Sequence, residues 1–239
     1  IGAGIFSLVR WRLPLSIDFT GGAVIEYETN LNIDQIKERF SNKNQDVGIE
    51  SAEVVGSHVL LRTKEIVQEK AQVDEASIVR FESVGPTFSR EIFKKTLVAA
   101  AIAAGGILLW VAWQFRSVQF GISAVLATIH DSLVLVGTFS LLGHFFGAPV
   151  DILFVTALLT TLAFSVHDTI VVFDRIRETK RKVSASVYSL ANLAVTQTMV
   201  RSLNNSLTII FVLLALVLLG GQTLFWFMVA LLIGVITGT

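Results

Sequence analysis

Two His-Asp pairs stand inside stretches apolar enough to cross a bilayer. His167 and Asp168 lie within 150–173, near the end of VDILFVTALLTTLAFSVHDTIVVFDRIRE, and His130 and Asp131 lie near the middle of 118–142. An ionisable group at the centre of a spanning helix costs roughly 2.5–3.5 kcal/mol on insertion scales, so such groups face a bundle interior and serve ion or substrate pathways. The neighbouring polar residues keep helical spacing. Thr161, Ser165, Asp168 and Arg175 follow i, i+4, i+7, i+14, which puts them on one stripe with Leu, Val, Ile and Phe over the rest. Thr128 and Thr138 share a face with Asp131, and Arg201, Asn204, Asn205 and Thr208 follow i, i+3, i+4, i+7 at the entry of a later apolar run. A stripe of this kind can also simply hold helices together, but Ser and Thr would be enough for that. A metal held by His130, Asp131, His167 and Asp168 fits the residue types. It is disfavoured by the absence of an HExxH motif and by the expectation that adjacent residues point to different faces of a helix.

The elements that carry these residues follow from composition. Hydrophobic residues make up 53% of the 239, charged residues 16%, and mean hydropathy is +0.68, with the apolar residues in long runs between short polar loops. This predicts an integral membrane protein. Net charge is zero, so no basic excess points to nucleic acid, and no Cys is present for disulfides or thiolate metal sites. The chain opens on Ile rather than Met and both ends fall inside apolar stretches, as in a segment cut from a longer protein. Six spans are expected, the first and last truncated: the tail of one at 1–13, then about 97–115, 118–142, 150–173, 202–219 and 224–239. Trp11, between Arg10 and Arg12, marks an interface.

Between the first two spans the composition turns polar, which predicts a soluble domain over 14–90 ahead of a membrane part over 91–239. The alternation after SIDFTGG predicts a strand over 23–29. The segment after Asn32 predicts an amphipathic helix, 49–55 and 59–63 two strands, 65–75 a second helix and 77–84 a last strand. That order suits a small α+β sandwich with helices on one face of an antiparallel sheet. The Gly-Gly pair is not a phosphate loop, since no helix opening with Lys-Ser/Thr follows it. His58 reads as a structural turn histidine.

SIDFTGG before a strand, SVGP at 83–86, ATIHD at 127–131, FSVHDTIVVFDRIRE at 164–178 and RSLNNSLT at 201–208, in this order, resemble the SecF family of the bacterial SecDF protein-export machinery. The resemblance covers nearly the whole chain. It implies an architecture like that of the RND transporters, a multi-pass place in the bacterial cytoplasmic membrane with the soluble domain outside the cytoplasm, and a transport subunit rather than an enzyme, with no cofactor. The implied work is use of the proton motive force in late preprotein export. The implied partners are SecD, separate or fused, the SecYEG translocon, unfolded preprotein and membrane lipid. Residue by residue, the family's intramembrane acid falls on Asp168 and the Arg opening its fifth span on Arg201. The acid of the third-span His-Asp motif falls on Asp131, beside His130. The outer-domain motif falls on Asp18, Thr20, Gly21 and Gly22. His167 stands where the family often has Asn, and Ser16 where Gly is usual. The mechanism this implies is proton uptake and release by Asp168, with altered pairing to Arg201 repacking the spans and reorienting the outer domain. The competing reading is an RND-like exporter of lipids or small solutes.

Arg175, Arg177, Lys180, Arg181, Lys182 and Arg201 place the segment between the fourth and fifth spans in the cytoplasm, and the soluble domain outside it. Accordingly, Ser184→Cys should react with a membrane-impermeant thiol reagent only after cells are opened, and Ser41→Cys in cells permeable at the outer layer alone. The opposite labelling would invert the topology.

Overall fold

A computed structural model describes residues 2–29, 31–43, 48–55, 58–63, 77–115, 118–182 and 186–239. The chain divides into two units, Leu15–Leu97 and a membrane unit of residues 1–14 and 98–239. The soluble unit holds a four-stranded sheet of β1 (Gly22–Glu28), β2 (Ile49–Val55), β3 (His58–Thr63) and β4 (Ser77–Val84), in the order β2-β3-β1-β4. Every pairing is antiparallel, and β1 lies between β3 (Ile25 opposite Leu61) and β4 (Ile25 opposite Phe81). Alternation along β1 sends Ala23, Ile25 and Tyr27 to one face. There they meet Val59 and Leu61 of β3 and are capped by Ile36 and Phe40 of helix α3 (Ile33–Lys43). Glu26, on the other face, receives Nδ1 of His58 at 2.6 Å. The α+β architecture is the one the strand pattern predicts; the helix expected over 65–75 lies outside the described residues.

The SIDFTGG motif is more than a turn before a strand. Ser16 caps the short helix α2 (Ile17–Thr20), its hydroxyl accepting from the Asp18 amide at 3.1 Å, and the Thr20 hydroxyl donates back to the Ser16 carbonyl at 3.1 Å. Gly21 then takes φ +80°, where an L side chain is strained, and a Cβ there would stand 3.0 Å from the Pro86 Cα. The joint brings the start of β1 against the start of α4 (Pro86–Phe115). Ser89 donates to the Ile17 carbonyl at 3.0 Å, and Phe93 meets Phe19 edge-on at 5.6 Å. These contacts explain why the soluble unit runs to Leu97 rather than to residue 90: the first turns of α4 fold with it.

The membrane unit contains α1 (Gly2–Trp11), the second part of α4, α5 (Val118–Phe146), α6 (Ile152–Lys182), α7 (Val187–Leu219) and α8 (Gln222–Thr237). Among the described residues, four helices are long and apolar enough to cross a membrane, beginning at Pro86, Gln119, Ile152 and Val187, and Thr223–Thr237 is a shorter apolar helix. Helix α1 crosses α5 on bare backbone: a Cβ on Gly137 would lie 2.7 Å from the Gly4 Cα. Ser7 and Ser140 share a buried hydrogen bond of 2.7 Å beside it. Trp11 stacks on His144 with ring centroids 4.1 Å apart.

The segment after residue 174, expected as a charged loop, is mostly helix. Helix α6 continues to Lys182 because its charges pair along its own surface: Arg175 and Lys182 both reach Glu178, and Arg177 reaches Asp174. Helix α7 begins well before residue 202, with Ser186 accepting from the Ser189 amide as its cap. Helix α4 likewise starts at Pro86, a residue suited to a first helical turn.

Tyr27 is fully buried, and burial pushes its phenol well above the ordinary value near 10. The folded state therefore holds the proton that the unfolded state loses. Its contribution to stability is complete below about pH 10 and falls as pH rises toward the folded value. In a Tyr188→Phe background, tyrosinate absorbance should appear only as the sheet unfolds in alkali. A freely titrating Tyr27 would contradict this burial.

Candidate functional site

The polar side chains inside the membrane unit collect where α5, α6, α7 and α8 meet. Thr161 and Ser165, one turn apart on α6, are both buried and face Gly234 of α8 and Gly238 just past its end. A Cβ on Gly234 would run into Thr161, and one on Gly238 would lie 3.3 Å from the Ser165 Cβ and 3.7 Å from Oδ2 of Asp131. The G-xxx-G spacing at the C-terminal end of α8 thus lets the backbone approach the polar face of α6. In that notch the Ser165 hydroxyl donates to Oδ2 of Asp131 on α5. The other oxygen of Asp131, Oδ1, contacts Nδ1 of His130 at 2.9 Å. This corrects the expectation that the adjacent pair diverges: rotation of the imidazole toward its neighbour brings the two groups together although their Cα atoms differ in helical phase.

Asp168 lies one turn further along α6 from Ser165. Its Oδ2 accepts from the Ser202 hydroxyl of α7 at 2.5 Å. Below, Ser206 donates to the Ser202 carbonyl at 3.0 Å and meets Thr239 at 2.8 Å. Two cavities flank this contact. The larger, about 520 Å³, is lined by Ser123, Ser165, Asp168, Thr198 and Ser202 together with apolar groups such as Phe173 and Met199. The smaller, about 380 Å³, is lined by His167, Asp168, Arg201, Ser202, Asn204, Asn205 and Thr208. Asp168 and Ser202 belong to both, so their hydrogen bond stands between the two cavities.

The anticipated partner of Asp168 is therefore displaced by its neighbour. Among the described residues, the ion pairs do not include Asp168 with Arg201. Arg201 shares the smaller cavity with the acid but is exposed, as are His167, Asn204, Asn205 and Thr208. One residue further along α7 is about 100° round the helix, and that rotation turns Ser202, not Arg201, toward α6. Arg175, placed on the same stripe as Asp168, instead reaches out to Gln197 at 2.6 Å and Glu178 at 2.6 Å, tying the polar ends of α6 and α7. Thr208 donates to the carbonyl of Asn204 in its own helix. Asp18, Thr20, Gly21 and Gly22 lie in the soluble unit, at the joint described above.

Ser202, Ser206, Gly234, Gly238 and Gln197 were not among the residues singled out from sequence. For the glycines the signal was the G-xxx-G spacing, and for Ser202 it was a hydroxyl beside the more conspicuous Arg.

The family described as protein export membrane protein SecD/SecF, C-terminal, matches residues 62–239. The chain belongs to this family. The SecF protein translocase subunit of Thermobaculum terrenum is 42% identical over 99% of this chain and 83% of its own length. SecDF of Bacillus subtilis is 32% identical over 99% of this chain and only 33% of its own. A crystal structure of SecDF from Thermus thermophilus, a translocon-associated membrane protein, aligns over 100% of this chain and 34% of that one, with a TM-score of 0.85 and 29% identity. The chain thus spans about a third of the length of these SecDF proteins.

Because Asp168 takes its hydrogen bond from Ser202, removal of Arg201 leaves no buried carboxylate stripped of its partner. Arg201→Ala should change the thermal stability of the purified chain by no more than about 1 kcal/mol. A loss of about 3–5 kcal/mol, the cost of breaking a buried pair, would restore the pairing with Asp168.

Proposed function

We propose that this chain is a non-enzymatic membrane subunit of the Sec protein translocase that uses the proton motive force to assist the late stage of preprotein export. Family membership supports the role in protein translocation. The observation that supports proton coupling is the placement of Asp168. A carboxyl group inside an apolar helix borders two cavities and is held by a neutral hydroxyl rather than by a cation. An ion pair would fix the carboxylate in its charged form, whereas a serine serves both states, donating to the carboxylate and accepting from the carboxylic acid. Arg201 lines the smaller cavity together with the acid and does not clamp it.

In this reading, protonation of Asp168 alters the hydrogen bond between α6 and α7 and with it the separation of the two cavities. The energy scale suffices: one elementary charge crossing about 100 mV is worth roughly 2.3 kcal/mol, tens of fold in a two-state equilibrium. The helices work beside a SecD half, as the fused relatives suggest, and with SecYEG. The soluble unit lies outside the bacterial cytoplasmic membrane and contacts the emerging preprotein.

The deciding experiment measures export into inverted membrane vesicles with and without an uncoupler. Asp168→Asn, which keeps the shape of the protonated acid and releases no proton, should abolish the uncoupler-sensitive part of export while the subunit still assembles with SecD. Export that stays fully sensitive to the uncoupler in this variant would overturn the reading.

A further inference from the structure

Three successive membrane helices carry one pattern at one interval. Thr128-Ile129-His130-Asp131-Ser132-Leu133 on α5, Ser165-Val166-His167-Asp168-Thr169-Ile170 on α6 and Ser202-Leu203-Asn204-Asn205-Ser206-Leu207 on α7 recur every 37 residues. Each reads hydroxyl, apolar, His or Asn, Asp or Asn, hydroxyl, apolar, and Thr239 falls on the first position of a fourth copy. The leading hydroxyl and the acid, three residues apart, share one face of their helix. Yet each acid accepts from the hydroxyl of the next copy. Ser165 donates to Asp131 and Ser202 donates to Asp168, both across 34 residues of chain. The third copy has Asn205 where the others have an acid, and there the adjacent Ser206 makes the contact to Thr239 at 2.8 Å.

We propose that Asp131 with Ser165, and Asp168 with Ser202, are two copies of one protonation unit, so that this chain takes up two protons, with each serine a positioning residue for the acid of the preceding helix. The inference rests on the reading of Asp168 as a proton carrier and adds a second carrier to it. Geometry favours communication between the units. Ser165, the partner of the first acid, lines the same 520 Å³ cavity as Asp168. Each unit gains one proton on its carboxylate and later gives it up, and no serine O–H bond is broken: the hydroxyl only turns from donor to acceptor. The charged or titratable neighbours among the described residues are His130 beside Asp131, and His167 and Arg201 on the smaller cavity beside Asp168. Helix α8 and the residues after it bring only the Gly238 backbone and Thr239 to this place.

The test is infrared difference spectroscopy of the full-length protein, reconstituted with its SecD half and translocon and titrated with acid, reading the C=O stretch of protonated carboxyls. Asp131→Asn and Asp168→Asn should each remove a different band and halve the protons taken up by the pair. Ser165→Ala should move only the band lost in Asp131→Asn, and Ser202→Ala only the other, with Ser165→Thr and Ser202→Thr returning each toward its original midpoint. Ser165→Ala also covers the case in which Asp131→Asn does not assemble. An unchanged band set and proton count in Asp131→Asn, or a Ser165→Ala variant in which no carboxyl band moves, overturns the two-unit proposal. Those results with uncoupler-sensitive export lost in Asp168→Asn would remove only the second unit. Uncoupler-sensitive export retained in Asp168→Asn would instead remove the underlying reading.

Discussion

A membrane interior offers no water, so every polar group that enters it must be satisfied by the protein itself. The hydroxyls of this chain meet that requirement in two ways, and the division between them organises the bundle. Most turn back on their own helix. Thr138, Thr156, Thr160, Thr196 and Thr208 each donate to the carbonyl four residues earlier, which removes a cost and contributes nothing to helix association. A few leave their helix, and they fall at successive seams. Ser7 with Ser140 joins α1 to α5, Ser165 with Asp131 joins α6 to α5, Ser202 with Asp168 joins α7 to α6, and Ser206 with Thr239 joins α7 to the residues just beyond α8. In lipid these contacts have no competing water, so they set rotation and register where an apolar surface alone would leave both loose.

The apolar packing completes what the hydroxyls define. Phe115, Phe120 and Phe173 form an aromatic cluster at one end of α4, α5 and α6, with the Arg177 guanidinium 5.8 Å over the Phe115 ring. Phe139 and Phe154 pack 4.4 Å apart nearer the other end of α5 and α6. The acids lie between these clusters, where the side chains are small. Bulk at both ends with hydroxyls and glycines between leaves room for cavities beside the acids while the helices stay held together.

Much of this was legible in the sequence because it depends on period and length. Alternation along 23–29 and the apolar runs follow directly from the geometry of a strand and from the thickness of a bilayer. Helix ends were read less well. The charges after residue 174 look like a loop when counted as polar residues, and become helix once Glu178 is seen to satisfy both Arg175 and Lys182. Partner choice was the least legible. Arg201 and Ser202 are neighbours in sequence, and only the rotation of α7 about its axis decides which of them meets Asp168. A long cation draws attention as the partner of an acid, but its reach lets it sit elsewhere, whereas a serine must be in place to bond at all.

The seams of α1 and α8 differ in kind from the others. At Gly4 against Gly137, and at Gly234 against Thr161, backbone lies on backbone or on a single small side chain. Elsewhere the bundle interlocks, and displacement of a helix means lifting rings and branched side chains out of one another. A seam of glycine has no such teeth. Its register is therefore left to the few hydroxyls at its edge, Ser7 with Ser140 for α1 and Thr239 with Ser206 just past α8. The backbone at Gly238, just past α8, lies directly beside Ser165 and Asp131, so on this side the acid is walled by main chain rather than by a side chain.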